Sequence, residues 1–117
     1  MRRPRRIAAT AAAAGLALAA VGPHVASAQP AGDVQAGRVK AGACAVCHGP
    51  LGLSVTPDAP HLAGQPAIYT AAQLRAYRSG ARRHEVMNVM ARPLSDEDIA
   101  QLAAWYAALR IEVKAPD

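Results

Sequence analysis

The sequence predicts a small all-α domain, and three observations carry that prediction. Three stretches of the 117-residue chain repeat apolar residues at helix spacing, two loops rich in Gly and Pro separate them, and no stretch alternates apolar with polar residues as a half-buried strand does. The first helix is expected over 33–47, where Val34, Gly37, Ala41 and Cys44 fall at i, i+3, i+7 and i+10 on one face and Asp33 supplies the cap. The second begins near Pro66, a favoured first-turn residue, and runs to about Ser79. Gly80 is its stop, and Ala67, Ala71 and Leu74 form its inner face. The third opens on Ser95-Asp96-Glu97-Asp98, a cap with an acidic first turn and close to a capping box, and buries Ile99, Leu102, Ala103, Tyr106 and Leu109.

Residues 1–28 have a different character. Arg2, Arg3, Arg5 and Arg6 form a basic start, an Ala- and Leu-rich run follows over 7–21, and Ala26-Ser27-Ala28 offers the small-x-small pattern that signal peptidase cuts. The apolar run is shorter than the roughly 20 residues that span a bilayer as a helix, and Gly22-Pro23 breaks it. The expected organisation is a cleavable signal peptide over 1–28 and one domain over 29–117, exported to the periplasm and membrane-anchored only if the signal is kept. Removing the signal also removes four of the 13 basic residues, so the mature chain carries 9 basic against 8 acidic groups, a net +1. Neither a nucleic-acid nor an anionic-membrane partner is therefore read from the basicity of the whole chain.

The mature chain is poor in large apolar side chains, with no Phe and one Trp. A domain this small is already marginal, so something else must supply core volume. Cys44 and Cys47 are the only cysteines, and a disulfide between residues three apart would close too short a loop to contribute much. A large apolar cofactor fills the gap better.

Cys44-Ala45-Val46-Cys47-His48 is the C-x-x-C-H pattern of haem attachment. The two thiols add across the two vinyl groups on one porphyrin edge, and His48 is then carried beneath the ring, where its imidazole can ligate the iron. Other readings of the pattern are weaker. A thioredoxin-like pair needs a βαβ context that is absent, and a zinc site lacks a second pair of ligands. A second axial ligand is expected far along the chain, so that the polypeptide wraps the ring. Met87 and Met90, in the loop between the second and third helices, are the candidates, with His61 and His84 as rivals for a bis-histidine site.

These motifs resemble those of class I c-type cytochromes, particularly the short bacterial periplasmic kind that also forms each half of the dihaem periplasmic cytochromes. The resemblance covers 33–109. Besides the haem motif, Pro60-His61-Leu62-Ala63-Gly64 is similar to the family's P-x-L-x-G loop, and 73–80 and 94–106 resemble its middle and last helices. The resemblance implies three main helices and loops wrapped around one haem c, bound covalently through Cys44 and Cys47. It further implies that the Pro60 carbonyl accepts a bond from His48, that Leu62 packs on the haem face, and that Gly37 meets Trp105 or Tyr106 where first and last helices cross. The family usually sets its methionine ligand about eight residues before the last cap. Met87 is eight before Ser95 and Met90 is five, which favours Met87.

With both axial positions filled by protein, the expected activity is outer-sphere electron transfer by a monomer that is not itself an enzyme. Its partners would be redox proteins of a respiratory chain: a dehydrogenase or quinol-oxidising complex as donor, an oxidase or reductase as acceptor. Two alternatives stay open, a haem c subunit bound permanently to a periplasmic dehydrogenase or other redox enzyme, and a catalytic or gas-sensing haem with an open site.

Overall fold

The structure, a computed structural model, describes residues 32–116. The expected signal peptide lies outside the described residues. Among those residues the fold is helical and without strands: α1 (Val34–Lys40), α2 (Ala45–His48), α3 (Ala67–Ser79), α4 (Glu85–Ala91) and α5 (Asp96–Ala108).

The Asp33 carboxylate starts α1 by accepting bonds from the N–H groups of Gln35 and Ala36 at 2.8 and 3.1 Å. The single helix expected over 33–47 is instead interrupted by a 3-10 turn, Ala41–Ala43, in which the Cys44 N–H reaches back three residues to the Ala41 carbonyl at 2.9 Å. Each residue in such a turn rotates the chain by about 120° rather than about 100°, so three of them re-aim α2 by about 60°. Small side chains at 41–43 leave little packing to oppose the tighter winding, and the turn sets the direction in which Cys44, Cys47 and His48 leave the helix.

Helix α3 ends at Ser79, before Gly80, and is tied to α5 by Arg78, whose Nη2 donates to Asp96 at 2.6 Å and whose Nη1 donates to the Leu94 carbonyl at 2.9 Å. The stretch read as a loop around the two methionines contains a short helix, α4. Its β-branched Val86 and Val89 weaken the helical signal, and its cap is a histidine, a residue that cap rules do not favour. The His84 ring accepts a bond from the Met87 N–H at 3.2 Å, while the His84 N–H donates to the Asn88 side chain at 2.7 Å.

The capping box at α5 is complete. The Asp98 N–H donates to the Ser95 hydroxyl at 3.0 Å, and the Ser95 N–H donates to the Asp98 carboxylate at 2.9 Å. Lys40, at the end of α1, adds an ion pair to Asp98 at 2.6 Å. The hydrogen bond from Lys40, followed by those from Ser95, pulls the Asp98 carboxyl down to about 2. Because the folded state holds this proton less tightly than the unfolded chain, the stability it contributes is complete above about pH 4 and is lost as pH falls towards about 2. The thermal midpoint of Asp98→Asn should therefore fall less than that of the parent across that window. Equal slopes would show that the pair carries no pH-dependent stability.

The apolar interior is made of small residues around α5. Ile99, Leu102 and Tyr106 are its only large buried apolar side chains among the described residues, and Ala41, Ala63, Ala71, Ala91 and Ala103 fill in around them. Helix α1 crosses α5 at Gly37, which is buried against the Gln101 backbone and the Trp105 side chain. A Cβ at Gly37 would overlap the Gln101 carbonyl and stand 2.9 Å from Trp105 Cβ, so the two helices would have to part. Gly37→Ala is expected to destabilise by about 1–3 kcal/mol in a denaturant titration, as overpacking does. Gly42→Ala, where nothing lies within 4 Å of an added Cβ, serves as control. Equal midpoints for the two variants would show that the crossing is looser than the geometry implies.

Candidate haem site

The site is built from the end of α2 and the loop that returns beside it. Gly52, with φ of +71°, turns its carbonyl to accept the N–H groups of Leu62 and Ala63 at 2.7 and 3.1 Å. A Cβ at this position would stand 2.8 Å from the Ala63 nitrogen and 3.0 Å from the Tyr106 ring, so only glycine permits the approach. This draws Pro60-His61-Leu62 against α2. The Pro60 carbonyl stands 2.8 Å from His48 Nδ1. A carbonyl can only accept, so Nδ1 carries the proton and Nε2 is left with its lone pair. His48 as a whole is buried, with 7% of its surface exposed.

The carbonyl of Cys47 accepts two bonds at 2.7 Å, from the hydroxyls of Ser54 and Thr56, which satisfy an orphaned end of α2. Sequence reasoning missed both residues, because no spacing rule tells which carbonyl a loop hydroxyl will reach. The Ser54 N–H donates to His61 Nδ1 at 2.8 Å, so one nitrogen of that ring is committed to the loop. Asn88 was missed as well. Its side-chain amide donates to the carbonyls of Tyr77 and Arg82 at 2.6 and 2.8 Å, which locks α4 to the end of α3.

One cavity of about 980 Å³ is lined by Cys44, Cys47, His48, Pro60, Leu62, Met87 and Met90, with His61 and His84 also on its wall. Met87 is half-buried and Met90 is 40% exposed. Leu74, Leu94, Leu102 and Tyr106 complete an apolar floor. Burial pushes both the Cys44 thiol and the neighbouring Tyr106 hydroxyl up from their ordinary values. The Tyr106 oxygen is buried without an aligned hydrogen bond. The volume reaches the top of the roughly 300–1,000 Å³ range of small-molecule sites. An apolar cavity of that size, with the two thiols and the His48 imidazole close together in sequence on its wall, suits a large flat macrocycle tethered at one edge. No group of three or more His, Cys, Asp or Glu among the described residues could hold a bare metal ion.

A helical fold around such a cavity defines a haem c protein, and comparison with known proteins agrees. The chain belongs to the cytochrome c family, whose model matches residues 34–109. It is 46% identical over 81 residues to cytochrome c-554(548) of Halomonas halodenitrificans, covering 67% of this chain and 98% of that protein. Over 67 residues it is 42% identical to a thiosulfate dehydrogenase electron acceptor of Stutzerimonas stutzeri, covering 55% of this chain and 31% of that one. The crystal structure of reduced recombinant cytochrome c4 from Pseudomonas stutzeri superposes with a TM-score of 0.67 at 35% identity, over 74% of this chain and 50% of that one. The chain thus spans nearly the whole of the first relative, half of the cytochrome c4 chain and about a third of the electron acceptor. It is an electron-transfer protein whose cofactor is haem c, covalently attached at Cys44 and Cys47.

Proposed function

We propose that the chain is exported through a signal cleaved after residue 28, and that residues 29–117 work in the periplasm as a one-electron carrier with His48 and Met87 as axial ligands. The observation that carries this reading is the His48 ring, with Nδ1 committed to the Pro60 carbonyl and Nε2 left available on the wall of the cavity that Met87 also lines. The Pro60 bond holds the tautomer and makes the imidazole a stronger donor. Met87 supplies a thioether sulfur, a soft ligand that favours the reduced state relative to a second histidine. Leu62, Leu74 and Leu102 keep water from the cavity floor. Bound haem c supplies the one-electron couple of its iron. With histidine and methionine both committed there is no open position for a substrate, so the chain passes electrons between redox proteins without itself being an enzyme.

The name of the Stutzerimonas relative favours a second reading, in which this chain accepts electrons from one dedicated dehydrogenase that stays bound to it. Intact mass and a pyridine haemochrome spectrum of periplasmic protein test the first reading. One haem on a chain beginning at Gln29, free of partners on purification and inert to carbon monoxide when reduced at neutral pH, is the expected outcome. Stoichiometric co-purification of a dehydrogenase would instead support the second reading. Carbon monoxide binding by the parent protein would remove the Met87 ligand from both.

A further inference from the structure

We propose that the buried hydroxyl of Tyr106 donates a hydrogen bond to the Cys44 sulfur once that sulfur is a thioether, and that this bond raises the midpoint potential of the protein. The inference rests on the haem reading of the cavity and not on the choice of distal ligand. Among the described residues three buried side-chain atoms lack a hydrogen-bond partner: Gln101 Oε1, Trp105 Nε1 and the Tyr106 hydroxyl. Of these three residues only Tyr106 lines the cavity. A buried hydroxyl without a partner bears the full cost of its lost hydration, so its partner is expected where the cofactor sits.

Tyr106 is not placed to turn elsewhere. It has 2% of its surface exposed, and the Gly64 N–H donates to its carbonyl at 2.8 Å. Its ring lies against Gly52, where an added Cβ would stand 3.0 Å from two of the ring carbons. In the core cluster built on Ala41, Leu102 and Tyr106, the remaining side chains are leucines, Trp105 and Cys44. An indole N–H only donates, which leaves the Cys44 sulfur as the one side-chain acceptor for the hydroxyl in that cluster. Hydroxyl and thiol already perturb each other, although no aligned bond joins them. Attachment changes the chemistry of the pair. The Cys44 S–H adds across a vinyl group, so the sulfur gains a bond to carbon and its hydrogen passes to the adjacent carbon. A thioether sulfur only accepts, and Tyr106, which burial keeps protonated, is there to donate.

The consequence is a bias between oxidation states. A bond donated to the sulfur draws electron density from the ring edge, which costs the electron-poor ferric haem more than the ferrous one. Tyr106→Phe keeps the ring and its packing and removes only the oxygen. The holoprotein should therefore fold with its haem and show a lower midpoint potential than the parent. Resonance Raman spectra supply a second readout. After unfolding and refolding in D2O, a carbon–sulfur stretching mode should shift in the parent, and Tyr106→Phe should lose that shift. Tyr69→Phe removes a hydroxyl from a half-exposed residue on the same wall and should keep both the parent's potential and its deuterium shift. A purely structural role for the hydroxyl would move the thermal midpoint and leave the deuterium shift of the variant intact. A parent potential in Tyr106→Phe, or an equal fall in Tyr69→Phe, would overturn the proposal. A lowered potential with a carbon–sulfur mode insensitive to deuterium in the parent would place the partner elsewhere on the haem and overturn the assignment to Cys44. None of these outcomes bears on whether the chain binds haem, which the haem content of the parent decides separately.

Discussion

Replacing Met87 with Ala should abolish the sulfur-to-iron charge-transfer band of the ferric protein, lower its midpoint potential and open the reduced protein to carbon monoxide. Met90→Ala should leave all three unchanged. The two methionines are one turn apart on α4, and residues at i and i+3 share a helix face, so both reach the same cavity. What separates them is support. Met87 is half-buried, and its N–H is tied to the capping His84 ring at 3.2 Å, whereas Met90 has 40% of its surface in solvent. A ligand must be held in one position to hold a metal potential steady, and the tethered first turn offers that. The spacing argument points the same way, with the ligand eight residues before Ser95. Axial ligands move haem potentials over a range of about 0.8 V, so loss of the sulfur should exceed any effect of a nearby charge. If Met90→Ala produces these changes and Met87→Ala does not, the assignment is reversed.

Much of this site was legible in the sequence because its chemistry needs fixed residue types at fixed spacing. Cys44, Cys47 and His48 must follow the geometry of the ring edge, and the capping box at Ser95 and Asp98 must follow the geometry of a helix start. The helices at 66–79 and 95–108 were legible for a similar reason, since each carries one apolar stripe and an explicit end signal. The 3-10 turn over Ala41–Ala43 was not, because Ala-Gly-Ala has no pattern that distinguishes tight from regular winding. Helix α4 was hidden behind a histidine cap and two β-branched valines, and its stability comes from Asn88 bridging to Tyr77 and Arg82, contacts made across the fold. The resemblance to class I cytochromes implied the bond between Pro60 and His48. The reason the loop can make it, the Gly52 carbonyl gripping Leu62 and Ala63, appears only when the chain is folded.

The cofactor is also expected to be what allows the domain to fold. A Cys44→Ala/Cys47→Ala chain expressed without haem should show little helix and no cooperative thermal transition. Five of the eight buried apolar residues among those described are alanines, and they surround a cavity of about 980 Å³. At about 24 cal/mol per Å³ of unfilled space, even half that volume would cost about 12 kcal/mol. The total stability of a domain is roughly 5–15 kcal/mol, so the empty fold cannot stand as it is. Collapse of the walls offers little relief. The Gly37 crossing already brings α1 and α5 to backbone contact, and the Arg78 and Asp96 pair already closes α3 on α5, so the elements that could move inward are at their limit. Folding should therefore be linked to cofactor attachment, as it is to metal in small metal-bound domains. The measurement is circular dichroism of the double variant beside the holoprotein. A sigmoidal melt with holoprotein-like helix content would show that the polypeptide fills its own centre and that the energy assigned to the cavity is wrong.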